Sequence, residues 1–152
     1  MRPRVLIVDD QVGDLHWLID LIQNRDYEIV FATNEEAARE RLRAVRTGGE
    51  SYVLAIIDVM VAVKDLTQLM GALDDQFFED SRNTGIRLCQ YARRELGLNK
   101  EELPIACLTV RDDDEVRSAM SELGIPLFNR APYGNKDSIR GFVTEALAAV
   151  KT

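Results

Sequence analysis

Two adjacent carboxylates, Asp9 and Asp10, follow the apolar run Val5-Leu6-Ile7-Val8. A third, Asp58, follows Val53-Leu54-Ala55-Ile56-Ile57, and the hydroxyl of Thr109 follows Ile105-Ala106-Cys107-Leu108. Brought together, three carboxylates repel one another and resist ionisation unless a cation joins them. An all-oxygen ligand set with an open geometry suits Mg²⁺. A carboxylate left free to attack is a nucleophile for phosphoryl transfer, with the cation neutralising charge. Thr109 can offer its hydroxyl to a phosphoryl oxygen. Asp-Asp after a strand, or a single Asp after one, is ordinary turn and cap chemistry when it stands alone. The chemical reading depends on whether the fold places all of these groups at one point.

The elements that would position them can be read from periodicity. The runs ending at Val8, Ile57 and Leu108 are apolar throughout, as in strands buried on both faces. Tyr27, Ile29 and Phe31 alternate with Glu28, which predicts a half-exposed edge strand, and Leu127-Phe128 marks a short last strand. Between the strands lie helical stripes: Leu15, Leu18, Ile19 and Ile22; Ala38, Leu42 and Val45, with Asn34 as N-cap and Thr47-Gly48-Gly49 as stop. Further stripes are Leu88, Cys89, Ala92 and Leu96 in a helix over 85–96; Val116, Ala119, Met120 and Leu123; and Ile139, Phe142, Val143, Ala146 and Val150. The acidic run from Asp112 suits a helix start. Strands and helices thus alternate five times. This predicts an α/β fold with a doubly wound, five-stranded parallel sheet in the flavodoxin-like order 2-1-3-4-5. In such a sheet ligands bind beyond the carboxyl ends of the strands where the order reverses. That point lies between the first and third strands, where Asp9, Asp10 and Asp58 sit.

Val5-Leu6-Ile7-Val8-Asp9-Asp10, Ile56-Ile57-Asp58-Val59-Met60 and Cys107-Leu108-Thr109 resemble the main signatures of bacterial two-component response-regulator receiver domains, and the likeness covers nearly the whole chain. The resemblance implies that Asp58 is the phosphorylation site. It implies that Asp9, Asp10, Asp58 and the backbone carbonyl of Met60 bind Mg²⁺. Thr109 would be the switch hydroxyl, and Phe128 stands at the switch aromatic position. The implied donor is a phosphohistidine on a sensor histidine kinase or histidine phosphotransfer protein. The sequence departs from the family in two places. Where the family has Lys-Pro after the last strand, the lysine position falls on Ala131, before Pro132. Arg130 is the available substitute, although strand alternation would aim it away from the pocket unless the chain bends before Pro132. About twenty extra residues also separate Asp58 from Gly85, within an insertion at 61–84 between strand 3 and helix 3. There Leu66, Leu69, Met70, Leu73 and Phe77 have helical spacing with Asp65 as a cap, which suggests an extra helix beside the pocket or a surface loop.

Composition and motifs narrow the alternatives. The net charge of −7 argues against nucleic acid or an anionic membrane as partner. No run approaches the roughly 20 apolar residues of a membrane span, and the first residues lack a signal-peptide pattern, so the cytoplasm is the expected compartment. Cys89 and Cys107 lie in apolar surroundings without metal-ligand spacing and read as buried thiols. His16 is the sole histidine and reads as a solvated helix residue. Trp17 and Leu21 lie beside the core stripe of the first helix, where they are core margin or a docking patch. An aspartyl phosphatase would need a second Asp where Met60 stands, and no phosphate-binding glycine loop is present. The expectation is therefore a single receiver domain over 1–152, signalling by protein contact rather than by turnover. The rival is a pseudo-receiver, the same fold used as a phosphorylation-independent interaction module.

Overall fold

A computed structural model of the chain describes residues 2–64, 75–130 and 136–149. Five strands, β1 (Arg4–Val8), β2 (Glu28–Ala32), β3 (Leu54–Ile57), β4 (Ile105–Thr109) and β5 (Leu127–Asn129), form one sheet in the order β2-β1-β3-β4-β5. All four pairings are parallel, with Val8 opposite Ile57, Ile57 opposite Cys107, and Thr109 opposite Asn129. The expected fold class and strand order are those observed.

Because strand side chains alternate in direction, each central strand feeds two cores. Leu6, Val8, Ala55, Ile57, Ile105 and Cys107 pack on one face of the sheet. There they meet α2 (Glu35–Thr47), α4 (Thr84–Gln90) and α5 (Asp114–Leu123) through Leu42, Leu88, Val116 and Met120. Val5, Ile7, Leu54, Ile56, Ala106 and Leu108 pack on the other face. There they meet α1 (His16–Gln23) and α6 (Lys136–Ala149) through Leu18, Ile22, Ile139 and Val143. Burying both faces explains why these strands are apolar at every position. β2 is the edge: Phe31 is exposed, while Tyr27 just before the strand and Ala32 at its end are buried.

Helix ends follow their capping residues. The Asn34 side chain accepts from the Ala37 N–H at 2.9 Å, and α2 stops at Gly48 in the left-handed region, φ 85°. The Asp113 side chain caps α5 by accepting from the Val116 N–H at 3.1 Å. Two details differ from the sequence reading. A short 3₁₀ turn, Val12–Leu15, leads into α1. The helix expected over 85–96 is α4 followed by a wider π turn, Tyr91–Glu95, which still buries Tyr91 and Ala92. The helical spacing from Leu66 to Leu73, its cap Asp65, and Ala131, Pro132 and Val150 lie outside the described residues. A helix, α3 (Asp75–Ser81), does occupy the end of the insertion. Among the described residues no helix is long and apolar enough to cross a membrane. His16 is exposed, and Cys89 and Cys107 are buried free thiols.

One glycine fixes the loop beneath the candidate site. Gly85 opens α4 against the backbone that carries Asp58, and its N–H donates to the Val59 carbonyl at 2.8 Å. A Cβ there would lie 2.1 Å from the Asp58 carbonyl oxygen and 2.5 Å from Val59 Cα. Neither backbone atom can rotate away, so Gly85→Ala is expected to cost about 1–3 kcal/mol through overpacking. Gly141 in α6 meets nothing within 4 Å, so Gly141→Ala is expected to stabilise by roughly 0.5–1 kcal/mol. Urea unfolding of the two variants checks the contrast, and equal midpoints would show that the Gly85 contact is relieved at no cost.

Candidate functional site

β1 and β3 are neighbours whose crossovers diverge, so Asp9 and Asp58 emerge side by side at their carboxyl ends. Both are buried, Asp9 at 2% and Asp58 at 8% exposure. Asp9 accepts the Gln11 N–H at 2.7 Å on Oδ1. Asp58 accepts the Met60 N–H at 3.3 Å on Oδ1. From the end of β4, the fully buried Thr109 brings a hydroxyl whose influence opposes the rise in the Asp58 pKa. Thr109 Oγ1 also accepts the Arg111 N–H at 3.2 Å.

Arg130 enters from the end of β5. Its Nη1 donates both to Asp9 Oδ2 and to Asp58 Oδ2, the latter at 3.2 Å. Its Nη2 donates to the Gln11 carbonyl at 2.9 Å and lies 3.7 Å from Asp14 Oδ2. The side chain is 9% exposed. Strand alternation would have aimed Arg130 outward, but β5 ends at Asn129, so the two-residue period no longer governs residue 130. The Arg130 N–H is held by the Thr109 carbonyl at 2.8 Å, which leaves the side chain above the strand ends with the reach to cross them.

Asp10 behaves differently. Its Oδ2 accepts the Ala62 N–H at 2.9 Å and so fastens the loop after β3. Among the described residues no three carboxylate, histidine or cysteine groups are gathered closely enough to hold a metal ion. What exists is a cation position between Asp9 Oδ2 and Asp58 Oδ2, lined by oxygen and filled by a guanidinium. Its donor chemistry fits a hard divalent cation. Met60 is exposed beside it, and Phe128 is half-buried against Phe142 of α6, with ring centroids 5.8 Å apart.

Arg111 is a residue that sequence reasoning passed over. Its side chain donates to Asp113 at 2.9 and 3.1 Å, to Asn83 Oδ1 at 2.5 Å and to the Arg82 carbonyl at 2.9 Å. It therefore ties the loop after Thr109 to the junction before α4. The available signal was a lone arginine between a strand end and the acidic run Asp112-Asp113-Asp114-Glu115.

No protein-family model and no curated protein matches the chain. Solved structures do. A two-component response regulator from Clostridium difficile is 16% identical, with 99% of this chain and 100% of that one covered at a TM-score of 0.65. A response regulator receiver domain protein from Methanospirillum hungatei is 18% identical, covering 99% and 98%, at a TM-score of 0.62. The receiver domain of a Francisella response regulator is 18% identical, covering 98% and 99%, at a TM-score of 0.63. The chain has the fold of response-regulator receiver domains.

Electrostatics distinguish the two buried acids from ordinary carboxylates. Burial, and then the charge on Asp9, push Asp58 up to about 7; Met60, Thr109 and Arg130 oppose the shift. Burial also raises Asp9 despite its bonds to Gln11 and Arg130. The folded state of Asp58 thus binds a proton more tightly than the unfolded state between its ordinary 3.8 and about 7. Its contribution to stability must fall as pH rises through that window and level off above it. In chelator-containing buffer, wild type is expected to lose stability relative to Asp58→Asn as pH rises from about 4 to about 7. Urea midpoints across that range check it, and a constant difference would mean that the Asp58 proton is not held by the fold.

Proposed function

We propose that this chain is a phosphoacceptor signalling module of a two-component phosphorelay, with Asp58 as the acceptor. The observation that supports it most is the placement of Asp58: a buried carboxylate at the sheet's switch point, beside Asp9, a hydroxyl and a guanidinium. In the step, an Asp58 carboxylate oxygen attacks the phosphorus of a phosphohistidine on a sensor kinase or phosphotransfer protein. The new O–P bond forms as the donor P–N bond breaks, and the electron pair stays on the imidazole nitrogen. The neighbours would support the step. Thr109 can donate to a phosphoryl oxygen, and Arg130 can meet the added charge with the charge-assisted bond that a lysine supplies elsewhere in the fold family. Asp9, Asp58 and the Met60 carbonyl would hold Mg²⁺, which would neutralise charge on the transferring group, with Asp10 turned to the Ala62 N–H beside them.

Output is a change of surface. A phosphoryl group biases two states of the domain, and Thr109 and Phe128 carry the change outward to a protein partner in the cytoplasm. A nearly complete switch takes about 5.5 kcal/mol of differential stabilisation. The chain is then a signalling domain and not a turnover enzyme. One observation favours the rival pseudo-receiver reading: Arg130 already pairs with both carboxylates, as in a module that never meets a phosphodonor.

Acetyl phosphate with Mg²⁺ separates the two. The wild type is expected to gain the mass of one phosphoryl group, and Asp58→Asn to gain none. Beryllofluoride is expected to shift amide resonances around Thr109 and Arg111 in the wild type. Thr109→Val is expected to keep the added mass and lose most of that shift. A wild type that shows neither response is a pseudo-receiver.

A further inference from the structure

The guanidinium of Arg130 occupies the position that a cation joining Asp9 and Asp58 would take. Both carboxylates present Oδ2 to the same nitrogen, Nη1. Both residues are buried, and the opposite oxygen of each carboxylate is held by a backbone N–H, from Gln11 in Asp9 and from Met60 in Asp58. The Oδ2 pair is therefore the part of the acid pair left to bind a positive charge. Arg130 and a metal ion cannot share it, because like charges so close repel strongly in a site screened from water.

Arg130 also has somewhere to go. Asp14 lies 3.7 Å from Nη2, at 73% side-chain exposure on the rim. The Gln11 carbonyl, which accepts from Nη2, lies between the inner and outer acids along the chain. A swing toward Asp14 keeps the guanidinium paired while it frees the Oδ2 oxygens.

We propose that Arg130 is a built-in counter-cation that competes with a divalent cation for Asp9 Oδ2 and Asp58 Oδ2, with Asp14 as its alternative partner. Metal entry and withdrawal of Arg130 are then a single event. Cation occupancy is felt at the end of β5, four strands away from β2 across the sheet. The competition is reciprocal: whatever Arg130 takes from the affinity for the metal, the metal takes from the inward position of Arg130. This inference rests on the proposed function only for the choice of Mg²⁺ as the ion, since it needs no phosphoryl group.

The test is Mg²⁺ binding to the unphosphorylated full chain by calorimetry. Arg130→Met is expected to bind Mg²⁺ about tenfold or more tighter than wild type, within the usual range of coupling between two sites. Arg130→Lys should fall between them. Asp14→Asn changes only an exposed residue and is expected to weaken Mg²⁺ binding in the wild type, because Arg130 loses its outer partner. The same change in the Arg130→Met background is expected to have no effect, which separates action through Arg130 from direct attraction of the ion. Equal or weaker binding to Arg130→Met, no Mg²⁺ binding to that variant, or an Asp14→Asn effect that persists without Arg130 would each overturn the proposal. Failure of the phosphoacceptor reading would look different: no acyl phosphate forms, while the order of Mg²⁺ affinities stays as expected here.

Discussion

Two carboxylates buried side by side are the constraint on which this end of the molecule depends. Taking one ionised carboxylate out of water is costly, and a second beside it adds repulsion. The fold answers with groups drawn from separate strands. β1 supplies Asp9 and the loop N–H of Gln11; β3 supplies Asp58 and the N–H of Met60. β4 supplies the Thr109 hydroxyl and β5 the Arg130 guanidinium. No local segment could assemble that set. Only a parallel sheet, which brings all its carboxyl ends to one side, places four such contributors within reach of one another. Even so the compensation is incomplete, since both acids keep their protons more tightly than acids in water. Such a site gains from any added positive charge and loses from any added negative charge that comes alone.

The second constraint is positional. Gly85 lies against the backbone of Asp58 and Val59, so the start of α4 is a direct neighbour of the candidate acceptor. Asp10 fastens the loop after β3 from the other side through the Ala62 N–H, and the Glu35 N–H donates to the Ala62 carbonyl at 2.8 Å. The loop is thus held at both faces at Ala62, where the 61–84 insertion begins, and gripped again at Gly85, just after it ends. Residues added between Ala62 and Gly85 need not move Asp58, because both anchors hold the ends of that stretch.

The parts legible from sequence were those set by periodicity and by strand ends. Apolar runs gave the central strands, the alternation at Tyr27–Phe31 gave the edge, and the order followed from burial. The acids at the ends of the first and third strands were placed correctly for the same reason. Orientation was not legible. Asp9 and Asp10 are neighbours in sequence, but successive residues leave a strand in different directions. One turns into the pocket and the other to the Ala62 N–H. Arg130 was ambiguous because its direction depends on where β5 stops, and strand ends are the least certain feature of a periodicity argument. Arg111 was passed over because its partners, Arg82 and Asn83, are close only after α4 packs beside β4.

Hydrogen bonds join Asp9 to Arg130, Arg130 to Asp58, Thr109 to the Arg111 backbone, and the Arg111 side chain to Asn83 and Arg82, and the Thr109 hydroxyl acting on Asp58 links the two halves into one path. It runs from β1 across the site to the segment just before α4. Thr109 is its narrowest point, since its hydroxyl oxygen accepts from the Arg111 N–H while its one proton can go to Asp58 or to a new acceptor. Any group that pulls this hydroxyl to a new acceptor must lengthen or turn the bond to Arg111. Arg111 is braced by its own ion pair with Asp113 at the start of α5, so displacement there bears on α5 and on the junction before α4 together. A rearrangement at one buried oxygen can therefore reach two helices of the same face without passing through the core. The core itself, close-packed on both sides of the sheet, offers no comparable freedom. The hydrogen-bonded path above the strand ends is where a charge change at Asp58 has room to act.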